Sequence, residues 1–193
     1  MDENTAKAVR LNDAATAKLS AGNLDGAEID LLQALEYSGN NASVRKNLGV
    51  VYFEKGTRAL KVKKDYFEAQ RYFRDALRIE PTSAVYKRGL ASALFLEAGQ
   101  RSRQGQSELA LTLYEKAAAA DPQNSAVWAA ASQQAWQMQK LDKAADYLQK
   151  AKTLKPSDKN VQVLEQRLRT PAAEKNYETR QSEHFVLSAD EGF

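Results

Sequence analysis

Cysteine is absent from this chain, histidine occurs once and proline only four times in 193 residues. Without cysteine there is no disulfide and no thiol chemistry, and the redox compartment stays open. One histidine without cysteine excludes a Cys/His nucleophile pair and a His-rich metal site. A His-Glu-x-x-His segment is also missing. Gly99 and Gly105 bracket "QRSRQ", but Gln106-Ser107 follows where a phosphate loop needs lysine before serine or threonine. No apolar run approaches the ~18 residues of a membrane span, and "MDENTAKAVR" lacks the apolar core of a signal peptide. These features point to a soluble protein, of a cytoplasm or a bacterial periplasm. The net charge of +3, from 28 basic and 25 acidic residues, is too small to argue for nucleic acid. No cofactor, metal or catalytic residue is expected, and the carboxylates are scattered as on solvated helix faces.

A frame that recurs is what the chain does contain. Phe73, Ala76 and Pro81 repeat as Tyr114, Ala117 and Pro122, then as Leu148, Ala151 and Pro156, with a weaker copy at Leu31, Ala34 and Gly39. Ala27, Ala69, Ala110 and Ala144 stand four residues before the large member of each copy. Nine and ten residues after the turn residue come large-then-small pairs: Leu48-Gly49, Leu90-Ala91 and the degraded Ala131-Ser132. Ala69, Phe73 and Ala76 fall on one helical face (i, i+4, i+7). Small residues let two helices approach, and the large one fills the groove beside them. Proline or glycine stops the second helix. Each unit is therefore a pair of antiparallel helices, which buries its apolar face only by stacking on the next pair.

Trp128, Leu48-Gly49 with Tyr52, then Ala69, Phe73, Ala76 and Pro81 resemble the tetratricopeptide repeat. On this resemblance 1–169 is an all-α array with repeats at 8–41, 42–83, 84–124 and 125–158. Residues 159–169, with Val161, Leu164 and Leu168 on one face, make a capping helix. Arg45 and Lys87 depart from the pattern, standing where tryptophan usually opens the first helix. The resemblance implies a right-handed superhelical solenoid whose first helices line a concave groove that holds a peptide or a partner helix. Counted from each first helix's opening residue, the twelfth position holds Leu19, Phe53, Phe95 and Trp136. The fifth holds Asn12, Lys46, Arg88 and Ala129, and the ninth Thr16, Val50, Ser92 and Gln133. An apolar stripe beside Lys46 and Arg88 suits a protein or peptide ligand with hydrophobic anchors and carboxylates. The same stripe also suits helix-on-helix core, and both readings stand. The carboxylate clamp of chaperone-binding relatives is absent: Lys46 is followed by Val50, then Gly89, Ala126 and Ala130.

The second and third repeats are 42 and 41 residues long, against about 34 in the family. Both insertions fall between the first-helix motif and the alanine that starts the second helix and amount to about two helical turns, which go either both to the first helix or one to each. Leu60, Val62 and Leu96 offer apolar surface on which the extensions can pack together. The added turns are basic, with Lys55, Arg58, Lys61, Lys63 and Lys64 in one and Arg101 and Arg103 in the other. They are either a solvated edge or a site for an acidic partner.

Residues 170–193 form a linker and tail. The run from His184 to Leu187 has strand character, and Ser182, His184, Phe185 and Leu187 resemble the opening strand of a metallopeptidase-like domain that follows such repeats. That implies a second reading, a substrate-binding or regulatory domain severed from a larger enzyme. The first reading is a non-catalytic protein-interaction module. Tyr177, Phe185 and Val186, with Glu183, Asp190 and Glu191, also make the tail a candidate ligand for a neighbouring molecule's groove, and so a route to self-association. No nucleic acid or membrane insertion is expected. Deleting 159–169 should expose the fourth repeat's apolar face and lower the melting temperature, read by far-ultraviolet circular dichroism. An unchanged transition would count against the capping role.

Overall fold

The computed structural model describes residues 2–168. The strand expected at His184–Leu187 and the tail anchors therefore lie outside the described residues. Among the described residues the fold is all-α: α1 (Glu3–Ser20), α2 (Leu24–Ser38), α3 (Ala42–Arg58), α4 (Tyr66–Ile79), α5 (Ala84–Arg103), α6 (Ser107–Ala120), α7 (Ser125–Gln137), α8 (Leu141–Leu154) and α9 (Lys159–Leu168). One π-helical turn, Ala59–Lys63, prolongs α3. Helix starts are set by short polar caps, whose side-chain oxygens accept from otherwise unpaired amides. Asp2, Asn23, Asn41, Asp65 and Asn124 cap α1, α2, α3, α4 and α7.

The pairs close through a shared turn. After α1, α5 and α7 a residue with positive φ reverses the chain: Gly22 (76°), Gly105 (76°) and Gln139 (58°). The next amide then bonds back across the helix end, Asn23 to Lys18, Gln106 to Arg101 and Lys140 to Ala135, each at 2.9 Å. This is the Schellman closure, which satisfies carbonyls the helix leaves unpaired. After α3 the closure is one residue wider. Lys64 (φ 54°) takes the left-handed position, and Asp65 reaches back six residues to Ala59 at 3.0 Å.

That extra residue follows from the length of the insertion. Each second helix starts 18 residues before the next first helix: Leu24 to Ala42, Tyr66 to Ala84, Ser107 to Ser125 and Leu141 to Lys159. From first helix to second the interval varies. It is 16 from Ser125 to Leu141, 23 from Ala84 to Ser107 and 24 from Ala42 to Tyr66. Both insertions therefore lengthen the first helix and leave α4 and α6 at 14 residues each. Seven residues make two α-helical turns at ~3.6 residues each. The eighth residue of the α3 insertion is surplus, and the π turn absorbs it.

The described residues fall into two compact units that divide inside α5, after Leu96. In the first, Ala15, Leu31, Ala34, Leu48 and Val51 join α1, α2 and α3. A second cluster centres on Phe73 of α4, with Ala59, Ala69 and Ala93. The Phe73 ring is 1% exposed and lies between two glycines. A Cβ at Gly56 of α3 would sit 2.8 Å from it, and one at Gly89 of α5 2.7 Å. In the second unit Leu111, Ala135 and Ala144 tie α6, α7 and α8 together. There α9 packs on α7 and α8 through Val161 and Leu164, against Leu148 and Ala151.

Leu60 joins the Phe73 cluster, whereas Val62 and Leu96 remain 75% and 43% exposed. Mutual packing of the extensions was expected to use all three, and in the first unit Leu60 alone sits in a core cluster.

Alanine at Gly56 or Gly89 should force the buried ring to move, at about 1–3 kcal/mol. That exceeds the ~1 kcal/mol alanine returns as a better helix former. Phe73→Ala should cost about 3–5 kcal/mol. Urea denaturation of Gly56→Ala, Phe73→Ala and the double variant should show the pair costing less than the sum, since the ring that collides is gone.

Candidate partner-binding site

The first-helix residues separate by depth. Lys46, Arg88, Ser92 and Gln133 are exposed, while Leu19, Val50, Phe53, Phe95 and Trp136 are half-buried. Asn12 is half-buried and accepts a 2.8 Å hydrogen bond from the Asn47 amide, tying α1 to α3. Phe53 packs its ring on Phe73 and Tyr86, with centroids 5.6 and 5.5 Å away. Trp136 lies against the Leu111, Ala135 and Ala144 cluster. The aromatics of the stripe are thus shared between wall and core. Gln133 and Trp136 belong to the second unit, the other first-helix residues to the first.

Of the basic edge, Lys61 and Lys64 are exposed and form no ion pair among the described residues. Lys63 pairs with Glu68 at 3.0 Å, and Arg101 with Glu97 at 3.1 Å. Arg103 is exposed. The sequence also placed Lys55 on this edge, and that is corrected: Lys55 is 8% exposed. Its ammonium bonds Asp25 at 2.5 Å and Glu28, and lies 5.5 Å from the Tyr72 ring centroid. Burial opposes its charge, yet the two carboxylates win and raise its pKa above the ordinary 10.5. Asp25 is held below its ordinary value, first by the hydrogen bond from Lys55, with Arg58 and Lys63 adding at longer range.

One cavity in the first unit joins part of the expected groove to part of the expected basic edge. It holds about 470 Å³, within the ~300–1,000 Å³ usual for ligand pockets, and opens where α3 outruns the α1–α2 turn at Gly22. Leu19, Leu24, Val50 and Val62 form its apolar lining. Arg58 and Lys61 bring positive charge and Glu54 the opposing carboxylate. Leu24, Glu54 and Thr57 were not assigned to a binding site from sequence, and Arg58 was read there only as part of the basic extension.

Residues 101–159 match the family model described as tetratricopeptide repeat. No curated protein matches this chain. Among solved structures, the TPR domain of Arabidopsis OM64 is 23% identical, with 65% of this chain and 97% of that one covered at a TM-score of 0.46. MamA (41-end) from Desulfovibrio magneticus RS-1 is 19% identical, with 97% and 98% covered at 0.43. The first TPR of Spaghetti (RPAP3), bound to the HSP90 peptide SRMEEVD, is 20% identical, with 63% and 94% covered at 0.42.

In the repeat that the family model matches, the charged contacts hold the fold. The Tyr147 hydroxyl donates to Glu115 at 2.5 Å, and Lys143 pairs with the same oxygen at 3.0 Å. Burial first, then that carboxylate, pushes the Tyr147 phenol well up. Trp128 donates from its indole nitrogen to the Pro122 carbonyl at 2.9 Å, under the Lys150 ammonium 4.4 Å from its ring centroid. Among the described residues no cluster of acidic or histidine side chains could hold a metal ion, and no helix is long and apolar enough to cross a membrane.

Replacing Lys55 with alanine should cost about 2 kcal/mol, since Glu28 loses its partner while Asp25, 85% exposed, turns to water. The raised pKa means this stabilisation is complete below pH 10.5 and fades as pH climbs through the folded value. Urea titrations at pH 7 and pH 11 should show the gap between wild type and Lys55→Ala narrowing at the higher pH.

Proposed function

We propose that the chain is a non-catalytic interaction module that holds a partner peptide or protein against the exposed faces of its first helices. In this reading 8–41, 42–83, 84–124 and 125–158 are the four repeats, 159–169 is the capping helix and 170–193 is the linker and tail. The observation that carries it is the pairing of exposed cation and half-buried aromatic on successive first helices. Lys46 on α3 and Arg88 on α5 are exposed and have no ion-pair partner among the described residues. Each stands seven residues before a half-buried ring, Phe53 or Phe95, and so shares its helix face. A cation without an internal carboxylate, beside an apolar wall, suits a ligand bringing both carboxylate and hydrophobic anchor.

A peptide-display selection on the full chain tests this, followed by fluorescence anisotropy of the enriched peptides. Acidic sequences with one or more large apolar residues should be enriched. Lys46→Ser/Arg88→Ser should weaken them and flatten their salt dependence while leaving the melting transition in place. Failure to enrich any sequence class would count against an interaction module.

A further inference from the structure

We propose that the cavity beside the π turn is a specific subsite, which takes an apolar side chain flanked by carboxylates from the partner. This rests on the interaction-module reading and narrows it to one place and one ligand chemistry. Three observations converge there.

The first is the backbone. α5 accommodates a seven-residue insertion as plain α-helix, so two extra turns need no irregularity. α3 carries one residue more and keeps it as a π turn, a rare geometry that is frequent at functional sites. The second is the shape. α1 ends at Ser20, and the cavity of about 470 Å³ lies between its last turn, the turn at Gly22 and the prolonged helix. Val62 stands 75% exposed at its edge, over Leu19, Leu24 and Val50.

The third is charge. From Lys55 to Lys64 the chain carries Lys55, Arg58, Lys61, Lys63 and Lys64 and no carboxylate. Lys55 is spent on Asp25 and Glu28, and Lys63 on Glu68. Arg58, Lys61 and Lys64 are left without an ion pair among the described residues, and the first two line the cavity. Glu54 also lines the cavity, so the rim sets two cations against one carboxylate, and with the apolar floor this net positive charge selects an acid-flanked hydrophobic anchor. Nucleic acid fits less well, because no aromatic ring lines the cavity for base stacking.

The probe is the blocked pentapeptide EDFED, compared with the neutral QNFQN and the anchorless EDAED. Binding to the full wild-type chain is followed by amide chemical shifts and by anisotropy at low salt. EDFED should bind about tenfold more tightly than either comparator, with shifts centred on 19–24 and 50–62. Arg58→Ser/Lys61→Ser should lose about that same factor, and Lys46→Ser/Arg88→Ser should not. Deleting Lys63 shortens the insertion to the seven residues of α5; it should restore regular helix, hold the melting temperature and weaken EDFED.

Shifts centred on Lys46 and Arg88 that survive Arg58→Ser/Lys61→Ser would overturn the subsite and leave the broader reading standing. The subsite also falls if EDFED fails to bind while display-selected peptides do. Equal displacement of EDFED by a single-stranded DNA dodecamer would overturn the peptide assignment. Should a variant not fold, the three peptides on wild type still decide the matter.

Discussion

The Phe73 ring occupies space that only two missing side chains leave open, at Gly56 on α3 and Gly89 on α5. Its neighbours along α4, Ala69 and Ala76, are fully buried and small, so α4 lies close to the elements it packs against. A wedge of this kind tolerates little. Helix interiors are packed at crystal-like density, and an ångström of misplacement costs either a collision or a cavity. Whatever happens between α3 and α4 must therefore return the chain with Phe73 still aimed at the gap.

That demand explains the irregular end of α3. Adding whole turns to a helix preserves the direction in which the chain leaves it, and seven residues come close to two turns. The eighth would rotate the exit by about 100° if built as α-helix. Widening a single turn takes up the surplus, and Lys64 in the left-handed conformation then reverses the chain. The π turn is thus a consequence of the core, and its position at the wall of an open cavity follows from the overhang that the same insertion creates.

Charge is distributed by an equally local logic. Residues 55–64 carry one uniform sign in the sequence, yet the structure divides them. Lys55 is an internal link between α2 and α3, Lys63 pairs with α4, and Arg58 and Lys61 face a cavity. In the second unit Lys143, Glu115 and Tyr147 play the linking part between α6 and α8. A cation's value to a partner depends on whether the protein has already neutralised it, because a satisfied pair gains little from a second carboxylate.

The sequence by itself determined the helical pairs. Ala69, Phe73 and Ala76 lie within one helix, and helical periodicity is a local property that a few residues suffice to display. It also marked Leu19, Val50 and Lys61 as residues to watch, and the presence of two extra turns. Only the tertiary structure decided that both turns lengthen first helices, that Phe53 is shared between wall and core, that Lys55 is buried and that Leu19, Val50 and Lys61 meet in one cavity. These depend on partners 27 to 42 residues apart along the chain, such as Glu28 with Lys55 and Leu19 with Lys61. No local pattern encodes such meetings; they arise when helices of unequal length are held side by side by a ring between two glycines.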